Sequence, residues 1–293
     1  MSVRRNVFLA VMLASLAARA SAKEGGLELT STTGFRANPL ALFQDFRLGY
    51  RWDLDHPGGI ALLPYVQLAA APGSIQTGIG FELAFGQYLR TTVAYAPRYN
   101  LAGRYGFQSF DSPQADYSDG TLADRANAGL TYSTWQHRFV LAVDVNVPLG
   151  PLEFHTLVRG VKHSANLRSG DTVFYDVQLD VLVAARGWTL ENELELLYHP
   201  SPGWSVGVRN TLTMAWYPSS AYQPGEPVEN PNAPTIKLGP VASCTFAFRG
   251  SGWFDAPTVF ANVGWWIKHR YRAGEDVSRA IPTAIIGFGF KSW

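Results

Sequence analysis

From Phe139 to Val147 the chain reads Phe-Val-Leu-Ala-Val-Asp-Val-Asn-Val. Phe139, Leu141, Val143, Val145 and Val147 fall on one side of an extended backbone, and Val140, Ala142, Asp144 and Asn146 on the other. Successive side chains of a strand point to opposite faces, so this stretch makes a strand with one oily side. The same two-residue alternation returns along nearly the whole chain. A fold built this way must give every oily face a partner, which is either a second sheet or lipid.

What flanks the alternation points to lipid. Arg4 and Arg5 lead into an apolar run over residues 7–18, and Ala20-Ser21-Ala22 offers small residues for cleavage, the pattern of a secretory signal peptide over residues 1–22. A single mature domain, residues 23–293, is expected to begin at Lys23. The leader run is shorter than the roughly 18 apolar residues of a spanning helix, and no later segment supplies them. A membrane location therefore has to be reached with strands. Net charge is +1 with 16% charged residues, which gives no basic field for nucleic acid. The aromatic share of 13% is high, as expected where rings mark a membrane boundary. Cys244 is the one cysteine, so neither an internal disulfide nor a multi-cysteine metal site is expected. No cofactor is implied.

Alternation and turn chemistry together mark about fourteen strands near the length a tilted barrel strand needs. They cover residues 27–35, 45–54, 60–70, 75–85, 89–98, 123–134, 139–147, 152–163, 173–185, 188–198, 204–217, 236–248, 258–268 and 280–293. In the second, Phe46, Leu48, Tyr50, Trp52 and Leu54 share one face while Asp45, Arg47, Arg51 and Asp53 share the other. The expected fold is all-β, a transmembrane antiparallel up-and-down barrel. A secreted two-sheet sandwich shares the alternation, but the number of strands and the aromatic ends of their oily faces argue against it. Fourteen is an even count, as bacterial barrels require, yet it puts the connection 164–172 on the short-turn side and the tight Arg186-Gly187 turn on the long-loop side. Twelve is the next even count. Trp52, Trp188, Tyr198, Trp204 and Trp216 sit near strand ends as aromatic girdles. Pro64 and Pro240 fall inside strands and predict bulges.

The export signal, the repeated alternation and the closing Ile285-Ile286-Gly287-Phe288-Gly289-Phe290-Lys291-Ser292-Trp293 resemble the Gram-negative outer-membrane β-barrel proteins. In length and plan the mature chain is similar to their small monomeric porins. The resemblance covers the whole mature chain and is architectural. It implies an outer-membrane location, contact with membrane lipids, and recognition of a terminal aromatic by the barrel-assembly machinery. Trp293 fits that signal, whereas Phe288 and Phe290 are out of phase with it and Lys291 stands where an apolar residue belongs.

The inward faces carry both signs of charge. Arg47, Arg51, Arg90, Arg98, Arg125 and Arg138 come from the first half, and Asp176, Asp180, Glu191, Glu193 and Glu195 from two strands of the second. That division predicts a transverse field across a wet bore, the plainer alternative being charges that only solvate or knit the lumen. If Arg186-Gly187 is a turn, Asp180 opposes Glu193, and Arg209 on the next strand either bridges the acidic cluster or leaves it to a cation. Asp144 is expected near Asn127 and Arg125.

Two constellations raise hydrolysis. His163 and Ser164 are adjacent, so a regular strand turns them to opposite faces and a shared proton would need a bulge. Glu153, His155, Arg159 and His163 share a face, where a Glu-x-His pair can orient a general base or a metal, although a polar lumen wall explains them as well. The leading expectation is a channel for small polar or charged solutes, with outer loops 99–121 and 218–234 over the mouth. Its filter would use Arg47, Arg51, Arg90, Arg125, Arg138, Asp180, Glu191, Glu193 and Arg209. A lipid or envelope hydrolase, and a non-conducting barrel serving a periplasmic or surface protein partner, are the alternatives.

Overall fold

The computed structural model describes residues 22–38, 41–54, 59–103, 106–246, 255–273 and 282–292. The expected leader, apart from Ala22, and Trp293 lie outside them. Four strands come first: β1 (Ala22–Ala37), β2 (Ala41–Leu54), β3 (Ile60–Ala71) and β4 (Ser74–Phe85). β5 (Leu89–Tyr95) and β6 (Arg98–Asn100) are one strand interrupted at Ala96-Pro97, since both pair with the same two neighbours. The next loop holds β7 (Ser109–Phe110) and α1 (Asp119–Asn127), after which β8 (Thr134–Leu149) and β9 (Leu152–Ala165) rejoin the wall. A hairpin of β10 (Val173–Asp176) and β11 (Val181–Ala184) follows, and β12 (Trp188–Tyr198), β13 (Trp204–Trp216), β14 (Thr235–Thr245), β15 (Asp255–Lys268) and β16 (Thr283–Ser292) complete the chain.

β16 runs antiparallel to β1 from Leu29↔Ser292 to Ala37↔Ala284, which closes the sheet into a barrel of twelve wall strands. Closure removes every sheet edge, the condition for strands to stand in hydrocarbon. The wall is twelve strands rather than fourteen because two of the expected strands fold locally. Residues 123–134 begin inside α1, whose N-cap Ser118 accepts from the backbone N–H of Thr121 while Asp116 takes Ser118 N–H and the Thr121 hydroxyl. Residues 173–185 double back on themselves, because Asp176 Oδ1 accepts from the N–H groups of Gln178 and Leu179 and Asp180 takes a left-handed φ of 57°. The connection 164–172 and the Arg186-Gly187 turn then belong to one loop, and both sit on the long-loop side.

With twelve strands, the long connections 101–133, 166–187 and 217–234 gather at one end and the short turns 86–88, 150–151 and 199–203 at the other. In outer-membrane barrels the long-loop end faces outward and the short-turn end the periplasm. The outer wall is apolar along its length: Leu68, Ile79, Val93, Leu141, Val158, Leu196, Val208, Leu238 and Phe288 are all exposed. Trp188 pairs across from Trp216 at the loop end, and Tyr198 and Trp204 flank the turn at the other. Ten steps of about 3.3 Å, tilted by about 40°, span about 25 Å, which matches the apolar band of such barrels. Trp52 departs from the expected girdle, being only 5% exposed.

Neither proline makes a bulge. At Pro64 the β2–β3 ladder lapses between Gly49↔Tyr65 and Trp52↔Leu62, and at Pro240 the β14–β15 ladder lapses between Leu238↔Trp265 and Val241↔Asn262, with register kept in both. A missing donor on one side is enough. Phe288 faces out, and Lys291 turns inward to Glu28 at 2.9 Å, so its charge has a lumenal partner rather than a lipid one.

Candidate functional site

The inward faces of the wall form a ladder of ion pairs. On β12, Glu191 is met by Arg159 at 2.8 Å, Glu193 by Arg209 at 3.2 Å, and Glu195 by Arg209 at 2.5 Å and by His155 Nδ1 at 2.8 Å. The other ring nitrogen of His155 lies 2.9 Å from Asp144. Arg90 pairs with Glu82 at 3.1 Å, Arg51 with Asp53 at 2.8 Å and Arg47 with Asp45 at 3.6 Å. Arg138, deep in the wall, donates to Gln76 Oε1 at 2.8 Å.

This pattern revises the transverse field. The two signs are interleaved across neighbouring strands, so most of the field closes within one side chain's reach. Arg209 does bridge the acidic cluster, although its register partner is Glu195 rather than Glu193. The expected opposition of Asp180 and Glu193 does not form, because Asp180 belongs to the hairpin. Arg125 is not a wall residue either. It lies in the last turn of α1, donates to Ser109 O at 2.6 Å and stacks over Phe110, while Asp144 meets His155 instead of Arg125 and Asn127.

Above the ladder the loops pack into a cap. β10 lies between β7 and β11 in a three-stranded sheet. Val173, Phe174, Val181, Leu182 and Val183 are buried on both faces against Phe107, Phe110, Tyr117, Tyr217 and Ala221. Each such side chain contributes about 1.5–3 kcal/mol by leaving water. The hairpin is rooted on β9 and β12, and its tip reaches across the bore. Arg36 on β1, six strands away in a ring of twelve and so diametrically opposite β9, donates to Val177 O at 2.5 Å and Gln178 O at 3.1 Å. Arg98 on β6 donates to Gln178 Oε1 at 2.6 Å and lies 3.9 Å from Asp176.

A third anchor comes from the segment after β15. Arg272 binds Asp180 through Nε at 2.7 Å and Asp119 through both terminal nitrogens at 2.8 Å, and His269 Nε2 donates to Asp180 O at 2.8 Å. Burial favours the neutral acid of Asp180, but the Arg272 guanidinium outweighs it and holds the carboxyl below the usual carboxylate range. Burial likewise lowers the His269 imidazole, with Asp180 pulling the other way. The closed cap therefore holds an ionised Asp180 beside a neutral His269. None of Arg36, Gln178, His269 or Arg272 stood out in the sequence, because partners 80 to 153 residues apart leave no local pattern.

Cavities walled by described residues lie in the bore beneath the cap. One of about 340 Å³ is lined by Arg47, Tyr65, Arg90, Arg98, Arg138 and Arg159 with Gln178 in its roof. One of about 270 Å³ is lined by Phe43, Leu197, Ser205, Arg209, Val241, Phe260 and Ile285. A third, about 310 Å³ and nearest the short turns, is lined by Arg90, Asp144, Glu153, His155 and Glu195. Phe43 borders the first two, its ring lying over Gly34, where an added Cβ would come within 2.2 Å of Cζ. Glycine there makes room for the ring.

The suggested catalytic pair is taken apart by the fold. His163 is fully buried between Gln136 at 2.9 Å and Thr189 at 2.8 Å, while Ser164 is exposed on the opposite face. Both ring nitrogens of His155 face carboxylates, so neither is free for a metal or a substrate proton. Glu153 binds His199 rather than His155, at 3.1 Å.

A closed antiparallel barrel with an apolar outside, a charged inside and loops at one end defines an outer-membrane β-barrel protein, located in the outer membrane. No family model and no curated protein matches the sequence. Among solved structures, the chain is similar to an outer-membrane channel from Pseudomonas putida F1, at 10% identity and a TM-score of 0.47, covering 92% of this chain and 93% of that one. It is also similar to the β domain of the Bordetella autotransporter BrkA, at 11% identity, TM-score 0.43, and 92% and 98% coverage. A third is the KdgM porin in complex with disordered oligogalacturonate, at 9% identity, TM-score 0.37, and 91% and 98% coverage. These likenesses concern the barrel alone.

Proposed function

We propose that this protein is a channel for small polar or charged solutes whose outer mouth is closed by the loop cap. The observation that carries the proposal is the pairing of a charged, cavity-bearing bore with a hairpin laid across one end of it. A bore meant only to be filled would not keep cavities of about 340 and 310 Å³ walled by guanidinium and carboxylate groups. Such groups, opposed across a passage, discriminate solutes by charge. Arg47, Arg90, Arg138, Glu191, Glu193 and Arg209 form the filter in this reading, with Arg51 toward the short-turn end. Arg125 and Asp180 act on access instead, because both hold the cap together.

Loops set access in many proteins because they can move on a rigid scaffold. Planar-bilayer recording tests the proposal. The refolded full chain should conduct in rare or small steps. Replacing residues 177–180 with two glycines should give larger and longer openings. Absence of conductance in both forms would overturn the proposal.

A further inference from the structure

Glu153, His199 and Ser205 lie at the short-turn end of the bore, apart from the ion-pair ladder. Glu153 is the first lumenal residue of β9, His199 follows the last residue of β12, and Ser205 is the first lumenal residue of β13. Three neighbouring strands thus bring the three side chains to one face. Backbone bonds fix the corner, with His199 N–H donating to Pro151 O at 2.9 Å and Trp204 N–H to Ser201 O at 3.1 Å. His199 Nε2 is 3.1 Å from Glu153 Oε2, and His199 Nδ1 is 3.0 Å from Ser205 Oγ. A proton on Nε2, held by the carboxylate, leaves Nδ1 as the lone-pair acceptor of the serine O–H.

A second observation points to a ligand. Ser205 borders the 270 Å³ cavity, where Phe43, Leu197, Val241, Phe260 and Ile285 make an apolar side and Glu195, Arg209, Ser243 and Asn262 a polar one. Apolar wall set beside converging polar groups is what small-molecule sites look like. Arg209 lies in the same cavity, paired there with Glu195 at 2.5 Å.

We propose that Ser205 is the nucleophile and His199 the general base of a serine esterase site, with Glu153 positioning the imidazole and the apolar side of the adjoining cavity taking a short acyl group. Ser205 Oγ bonds to the ester carbonyl carbon as its proton passes to His199 Nδ1. The imidazolium N–H then has Trp204 O as a neighbour at 3.3 Å. The tetrahedral adduct collapses, the ester C–O bond breaks, and the alcohol leaves with the proton from His199. Water then adds to the acyl-serine, giving its proton to His199, and release of the acid restores the Ser205 hydroxyl.

The test is covalent labelling of the folded full chain in detergent with a fluorophosphonate, with the adduct located by peptide mass, alongside hydrolysis of 4-nitrophenyl butyrate. The expected result is a single adduct on Ser205, with hydrolysis abolished in Ser205→Ala. His199→Ala should lower the rate about 10²- to 10⁴-fold, the range for a lost general base. Glu153→Gln should lower the rate by letting the imidazole turn away from Ser205, and Glu153→Asp, which keeps the carboxylate, should recover part of it. A wild-type chain that takes no label, a label on another residue, or equal rates in wild type and His199→Ala would each overturn the proposal. Wild-type labelling needs no variant to fold. Conductance reads the channel and the adduct reads Ser205, so each proposal can fail alone.

Discussion

Replacing Arg272 with alanine should open the mouth while leaving the wall closed. Arg272 holds Asp180 at 2.7 and 3.2 Å and Asp119 at 2.8 Å, and the Asp180 side chain is only 3% exposed. Removing one member of a buried pair strands the other charge, at about 3–5 kcal/mol. Asp119 is 34% exposed, so water recovers it and it adds little. His269 still donates to the Asp180 carbonyl, and Tyr175 donates to the carboxylate at 2.6 Å. The lower figure is therefore the one to use: about 3 kcal/mol shifts the closed-to-open ratio by about a hundredfold. Single-channel recording at neutral pH measures that ratio as open probability, and the gel shift between heated and unheated samples checks that the barrel is intact. An Arg272→Ala chain with an intact barrel and wild-type open probability would refute the anchoring argument.

Three further outcomes follow from the same geometry. Acidification should favour opening: the closed cap holds His269 below its ordinary value, so the open form binds more protons and gains on the closed form as pH falls below about 6.5. Asp180, also depressed, adds to this only as pH falls below the ordinary carboxylate value, and open probability recorded from pH 7 to 3 should rise throughout. Arg209→Ala leaves Glu193 and Glu195 without their shared cation, and the reversal potential in a salt gradient should move toward cation preference by several millivolts or more; an unchanged value would remove Arg209 from the filter. Phe43→Ala, made in the chain lacking residues 177–180, should join the two cavities Phe43 borders and raise unitary conductance; an equal conductance would place the constriction elsewhere.

The wall was readable because its two solvents differ. Lipid outside and water inside impose period two, and strands such as β8 and β12 keep it over their full length. The cap obeys neither solvent. Val173-Phe174 and Val181-Leu182-Val183-Ala184 are apolar at consecutive positions and buried on both faces, the mark of a packed strand rather than a membrane wall. That break in alternation was the available signal for the hairpin, and the polar run Asp119–Asn127 was the corresponding one for α1. The lumen faces of Arg47, Arg90, Arg138, Glu191, Glu193 and Arg209 followed from strand phase alone. Their partners did not, because neighbours in a barrel depend on register. The link of His199 and Ser205 to Glu153 rests on a turn and two strand pairings that period two does not specify.

A lipid-facing barrel requires that lipid touch one side of each wall strand and water the other. Single cysteines at Leu141, Ala142, Val143 and Asp144 of β8, in a Cys244→Ser background and carrying a fluorophore, can be exposed in vesicles to a quencher in the acyl chains and to one in water. Positions 141 and 143 should be quenched from the lipid, and 142 and 144 from the water. Quenching from water alone at all four positions would contradict a lipid-facing barrel.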